Sequence, residues 1–273
     1  MKQRYSISEM AELLGVTTHM LRHYEKVGII QPEVHPENGY RFYTVLDTRR
    51  FNLSRLFLAC GLSLEACAEL LGSPDANRTE CLLEAAVREK QLEIEKARVA
   101  MRFLNNLRGM YPHLQERVNR VWVENLPKMW RLNVSQMEKA VLTPELRQQR
   151  EAWLACQPGV YWTSCIRRDT LRDRKTGPIE YDFGLMCYES DALAMGLRQT
   201  PDVEVVAGGD YLVTIHEKSD RGAFTWEDIA ALTQYMQDRE IRLHGDAFSH
   251  ILASRCVDGR VYNDHRIFLK IYT

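Results

Sequence analysis

Leu21-Arg22-His23-Tyr24-Glu25-Lys26-Val27-Gly28-Ile29-Ile30-Gln31-Pro32, followed closely by Asn38-Gly39-Tyr40-Arg41-Phe42-Tyr43, is the stretch that decides how the chain begins to fold. Met20, Leu21, Tyr24 and Val27 recur at helical spacing, Thr17 stands where a cap belongs, and Gly28 stops the run. Just upstream, Ser6-Ile7-Ser8-Glu9 fits a capping box, and Ile7, Met10, Ala11, Leu13 and Leu14 follow at helical spacing until Gly15. Two short helices parted by a tight glycine turn make a helix-turn-helix pattern. Asn38-Gly39 before alternating aromatics predicts a hairpin, with Tyr40 and Phe42 on one face and Arg41 and Tyr43 on the other. Thr44-Val45-Leu46-Asp47 opens a third helix that runs to about Cys60 and stops at Gly61. Ser63 caps a fourth that ends near Leu71-Gly72.

Residues 79–110 predict one helix of ~30 residues, about 45 Å long. Leu83, Val87, Lys90, Ile94, Ala97, Met101 and Leu104 alternate in steps of four and three, a coiled-coil seam with one polar position. A helix packed on its own domain also fits, but the narrow seam and the length favour pairing between two chains.

Beyond residue 120 the period changes. Val121-Trp122-Val123, Trp130 to Val134, Val160 to Ile166 and Ile179 to Tyr188 are strand-like, and Pro144 to Cys156 is helical. Val203 to Val206, Gly208-Gly209 and Tyr211 to Ile215 predict a hairpin. Trp226 to Gln237 reads as a helix, and Ala247 to Ser254 and Arg266 to Tyr272 as closing strands. The expected result is an α+β domain of about seven strands and two helices, each half pairing strands with one helix, so an internal duplication is plausible. The fold class is α+β and multi-domain: 1–75, 76–119 and 120–273.

Composition bounds the rest. The 273 residues are 45% hydrophobic and 27% charged with a net charge of −1, which excludes a mostly disordered or collagen-like chain. The seven cysteines are odd in number and lack CxxC spacing, and MKQRYSISEM lacks an apolar leader, so a reduced, cytoplasmic protein is expected. No apolar stretch predicts a membrane span.

The quoted motifs, with Tyr5-Ser6-Ile7-Ser8-Glu9 and Leu13-Leu14-Gly15-Val16-Thr17 before them and Gly61-Leu62-Ser63-Leu64-Glu65 after, resemble the MerR family of bacterial transcription regulators. The resemblance covers roughly the first 110 residues. It implies a homodimer joined by an antiparallel coil, each subunit placing a winged helix-turn-helix on half of a near-palindromic operator in double-stranded promoter DNA. It also implies activation, with the dimer bending and untwisting an overlong promoter spacer for RNA polymerase. Residue chemistry agrees. Arg22 can fork onto phosphate or guanine, and Thr17 and Tyr24 offer hydroxyls beside free helix N–H groups. Arg41 and Tyr43 could reach the backbone from the wing, and Lys26 and Tyr5 complete the candidate set. Tyr24 also fits a core aromatic, and Arg22 a solvated charge. Residues 1–60 hold eight Lys and Arg against six Asp and Glu, so the motif, not basicity, carries this reading.

Metal-sensing relatives hold several cysteines around the start of the coil or just after it, whereas here Cys81 stands without a near companion. A metal-responsive regulator is the lesser alternative, and no cofactor is expected. The last 150 residues instead look like a GyrI-like effector-binding domain. The resemblance rests on Gly208-Gly209-Asp210-Tyr211, Trp226-Glu227-Asp228-Ile229, Gly245-Asp246-Ala247-Phe248-Ser249 and Ile267-Phe268-Leu269-Lys270-Ile271. It implies a duplicated strand-helix-strand fold whose central apolar pocket takes lipophilic, often cationic, aromatic molecules between rings and a buried acid. After Phe248 that pattern has an acid, any residue and an aromatic, but this chain has Ser249, His250 and Ile251. Another carboxylate must then serve, among Asp182, Glu180, Asp246 and Asp264, or the ligand is not strictly cationic. Tyr161, Trp162, Tyr188, Phe224, Trp226 and Phe268 supply candidate rings, and each also fits ordinary core. No catalytic motif is present, so no enzyme is expected; a drug-sequestering binding protein is the competing reading.

Overall fold

The computed structural model describes residues 4–72, 75–136, 139–140, 142–173, 179–219 and 224–271. The chain divides into two compact units, Met1–Glu93 and Ile94–Thr273.

In the first unit α1 (Ile7–Leu14) begins at the expected capping box. Ser6 Oγ accepts from Glu9 N at 3.3 Å and Glu9 returns to Ser6 N at 2.7 Å. Gly15 ends it in the left-handed region, φ 66°. Thr17 caps α2 (Thr18–Lys26) through a 3.1 Å bond from Met20 N. The wing pairs β1 (Glu33–Val34) with β2 (Arg41–Phe42). Its turn is longer than a two-residue Asn-Gly loop: His35 N donates to Tyr40 O at 2.8 Å and Gly39 N to His35 O at 3.0 Å. α3 (Val45–Ala59) starts on a second capping box. Asp47 accepts from Thr44 N at 2.8 Å and, with its other oxygen, from Gln31 N at 3.1 Å, which explains how a carboxylate can be buried there. α4 (Leu64–Gly72) completes a core of Met10, Leu21, Tyr24, Ile29, Ile30, Tyr43, Phe51 and Cys67.

α5 (Ala76–Met110) is a continuous helix of 35 residues, about 52 Å at ~1.5 Å per residue. Leu83, Val87, Ile94, Met101 and Leu104, all on the predicted seam, are exposed.

In the second unit, a short turn and α6 (Leu114–Arg117) lead into the sheet. β3 (Val121–Leu126) and β4 (Met129–Asn133) are followed by a small ribbon of β5 (Ser135–Gln136) and β6 (Lys139–Ala140), then α7 (Pro144–Leu154). Next come β7 (Tyr161–Ile166), α8 (Arg168–Asp173), β8 (Asp182–Tyr188), α9 (Glu189–Ala194) and β9 (Val203–Val206). β10 (Gly209–Ser219), α10 (Ala230–Asp238) after a 3-10 turn, β11 (Leu243–Val257) and β12 (Arg260–Ile271) finish the domain. Tyr272, expected in the last strand, lies outside the described residues.

The main sheet has eight strands in the order β3-β10-β12-β11-β7-β8-β4-β9. The expected hairpin across Gly208-Gly209 is not formed. β9 pairs with β4 and β10 with β3, at opposite ends of the order. The register is the same on both sides of the break, Leu126 opposite Gly209 and Met129 opposite Val206. Two long strands therefore run side by side from one end of the sheet to the other and join its ends. Gly208 permits this: a Cβ there would meet Lys128 N at 2.9 Å and Leu126 O at 3.1 Å. The duplication expected from the sequence is visible in the pairing. β7·β8 and β11·β12 are antiparallel pairs, β8 returns to β4 as β12 returns to β10, and β7·β11 joins the halves.

Candidate nucleic-acid interface and ligand cavity

Thr17, Arg22, Lys26 and Arg41 are exposed, and Tyr5 is half-buried. Two candidate hydroxyl donors lie elsewhere. Tyr24 belongs to the core, its ring 4.9 Å from that of Phe51. Tyr43 is fully buried, because Tyr5 and Tyr43 exchange backbone bonds of 2.9 Å that draw the end of the hairpin into the core. Arg41 and Tyr43 keep to one face of the chain, as alternation expects, but that face turns inward towards Glu25 at Tyr43 and leaves only Arg41 exposed. The Tyr43 hydroxyl donates to Glu25, whose other oxygen lies 3.4 Å from Arg41. Burial, then Glu25, pushes that phenol well above its ordinary range. Sequence reasoning missed Arg50, which donates to Ile29 O at 2.8 Å and ties α3 to the exit of α2.

The second unit holds a half-open cavity of about 930 Å³, a size suited to a drug-like molecule. Its walls are aromatic. Tyr161, Trp162, Tyr188 and Phe224, all named from sequence, line it together with Trp122, Tyr181 and Phe183. Ser249 and Ile251 line it too. One wall is the C-terminal part of α5, through Val99, Phe103, Leu107 and Met110. These recur at four, four and three residues, a second apolar stripe on the side of the helix away from the seam that sequence reasoning passed over.

Two candidates are elsewhere. Phe268 is core, packed between Phe248 at 5.5 Å and Tyr211 at 5.9 Å. Asp182 does not line the cavity; it pairs with Arg167 at 3.0 Å in a cluster with Glu204 and Asp246. Of the other acids considered, Glu180, Asp246 and Asp264 do not line the cavity either.

Among the described residues, the carboxylates on the cavity wall are Glu124 and Asp191. Glu124 accepts from Arg266 Nη2 at 2.7 Å and from Trp122 Nε1 at 3.1 Å. Asp191 is buried and pairs with Arg102 of α5. Ser249 Oγ and His265 Nδ1 share a hydrogen bond of 3.3 Å. Lys218 stands 5.3 Å above the Phe224 ring and pairs with Asp228. Burial opposes ionisation of Asp228, but His216, Lys218 and the Thr225 N–H outweigh it and hold the carboxyl low. Burial also pushes the His250 imidazole down to about 3 and that of His265 to about 4, so both are neutral near pH 7.

The first unit is thus a winged helix-turn-helix of the DNA-binding kind. A family model described as MerR HTH family regulatory protein matches residues 5–73. The chain is 34% identical over 97 residues to the HTH-type transcriptional regulator ZntR of Escherichia coli K12, covering 35% of this chain and 69% of that one. The chain belongs to the MerR family of transcription regulators. A probable heavy metal-dependent transcriptional regulator of Haemophilus influenzae is 40% identical over 76 residues, 28% of this chain. A multidrug-efflux transporter 2 regulator of Bacillus subtilis is 28% identical over 117 residues, 43% of this chain. The chain spans 59% of the length of the Haemophilus relative and 39% of the Bacillus one. A solved EcmrR–DNA complex aligns over 98% of this chain and 100% of that one, at 14% identity and a TM-score of 0.36. No helix among the described residues is long and apolar enough to cross a membrane.

Proposed function

We propose that this chain is a homodimeric, effector-responsive transcription activator. Residues 1–75 bind half of a near-palindromic operator, residues 76–119 pair two chains in an antiparallel coil, and residues 120–273 form a GyrI-like effector-binding domain. Thr17, Arg22, Lys26, Arg41 and Tyr5 contact the DNA backbone or bases. Tyr24 and Tyr43 shape this surface from the core. The exposed seam of α5 supports pairing with a second copy, since Leu83, Val87, Ile94, Met101 and Leu104 would otherwise leave an apolar stripe in water.

The observation that carries the reading is that one helix serves both the seam and the cavity. Phe103, Leu107 and Met110 wall the cavity, while Met101 and Leu104 of the same turns lie on the seam. A lipophilic aromatic molecule in the cavity therefore touches the dimerisation helix directly. Binding biases two arrangements of the dimer with a coupling of about 1–3 kcal/mol, enough to change promoter geometry for RNA polymerase. Multidrug regulation in the Bacillus relative supports this reading.

The test is binding to the DNA upstream of the protein's own coding sequence, followed by transcription from it with purified polymerase. Specific binding and a transcript that rises with a cavity ligand support the proposal. A chain that binds aromatic molecules but leaves transcription unchanged is a sequestering protein instead.

A further inference from the structure

The charges around the cavity point to the kind of molecule it accepts. Both wall carboxylates are engaged, Glu124 by Arg266 and Trp122, and Asp191 by Arg102. A lipophilic cation entering the cavity would have to displace a guanidinium to find a counter-ion, at the cost of leaving another cation unpaired. Four cations lie on the same wall; Arg102, Arg266 and Lys218 are paired with Asp191, Glu124 and Asp228, and Arg117 has no ion pair among the described residues. Arg117 stands 5.7 Å from the Trp122 ring.

Neutral donors add to this bias. Ser249 and His265 share one hydrogen bond, and His265 is neutral. If the imidazole donates, the serine hydroxyl keeps its hydrogen to give. If the serine donates, the other ring nitrogen carries one. Either tautomer leaves one donor unspent by the shared bond. His250, its ring tilted 51° to that of Tyr161 with centroids 4.7 Å apart, has an Nδ1 with no hydrogen-bond partner among the described residues.

Resting on the effector-site reading above, we propose that the cavity selects an aromatic anion, of the aryl carboxylate class, over an aromatic cation of the same shape. The rings hold the aromatic body. The carboxylate meets the donors of the Ser249–His265 pair, and Arg117, which has no ion pair among the described residues, lends long-range attraction.

Three pyrene compounds test this on the full chain: pyrenebutyrate, pyrenemethylammonium and the uncharged pyrenemethanol. Trp122 and Trp162 line the cavity, so binding is read as loss of tryptophan emission as pyrene emission grows. The carboxylate is expected to bind at least ~10-fold more tightly than the ammonium, with the alcohol between them. Arg266→Gln releases Glu124 and should cut or reverse that preference. Arg117→Gln, on an exposed residue that leaves the core intact, should weaken the carboxylate alone. Equal or tighter binding of the ammonium to the wild type overturns the anion preference while leaving the effector site standing. An unchanged preference in both variants also overturns it. Failure of all three compounds to bind overturns the effector-site reading itself.

Discussion

The buried Tyr43 hydroxyl donates to Glu25, which joins the wing to the helix that precedes it. Glu25 also holds Arg41 at 3.4 Å, so one carboxylate on α2 sets the position of an exposed wing cation. Tyr43→Phe removes the donor and leaves Glu25 half-buried with Arg41 alone. A hydrogen bond to a charged group contributes about 1.5–3 kcal/mol. The first unfolding transition in urea should fall by roughly that amount, and operator affinity should fall with it. An unchanged midpoint would mean that the bond does not couple these elements.

Arg22 is exposed on α2 and makes no ion pair among the described residues. Arg22→Ala should lower operator affinity by about 1–3 kcal/mol and, if the lost contact is to phosphate, reduce the salt slope by about one. Pyrenebutyrate affinity, read from tryptophan emission, should stay the same. Equal loss of both would indicate a folding defect.

Met101 and Leu104 are exposed on the helix face opposite its cavity contacts. A double substitution to glutamate should convert the dimer to a monomer in sedimentation velocity, because like charges across a coil seam repel. A dimer that persists in the variant would place the interface elsewhere.

The half-buried imidazoles of His250 and His265 set a pH dependence. His250 is pushed down to about 3 by burial, then by Arg266 and His265; His265 is pushed down to about 4 by burial and by Lys218 and His216, against the pull of Asp228. The unfolded chain takes up protons below about pH 6.5 while the folded one does not. Stability of the second unit is complete above that pH and falls progressively towards pH 4, by up to about 1.4 kcal/mol per pH unit for each histidine. Urea midpoints between pH 7.5 and 4.5 should show this decline, and His250→Gln should make it shallower. A flat wild-type profile would contradict the lowered titration of both rings in the folded state.

Much of the fold was legible because local chemistry decides it. Ser6, Thr17 and Thr44 mark helix starts, Gly15 ends a helix, and each does so in the structure. The Gly208-Gly209 turn misled, because a glycine pair marks a hairpin and a close strand crossing alike, and only the backbone of Leu126 and Lys128 distinguishes them. Aromatic content announced the cavity, and Tyr161, Trp162, Tyr188 and Phe224 line it. Its charges were not readable, since Arg266 and Glu124 are 142 positions apart and Arg102 and Asp191 are 89 apart. The sequence around Asp182 does not show which side of the sheet borders the cavity. Nor could it foresee that Phe268 packs into the core with Tyr211 and Phe248.

The most direct test of the central claim is run-off transcription from the DNA upstream of the coding sequence, with purified protein, RNA polymerase and pyrenebutyrate. Cavity occupancy is followed in the same tubes by tryptophan emission. The account predicts that the transcript rises as the cavity fills and that Arg22→Ala shifts the rise to higher protein concentration without changing occupancy. A transcript that stays level while the cavity saturates would contradict it.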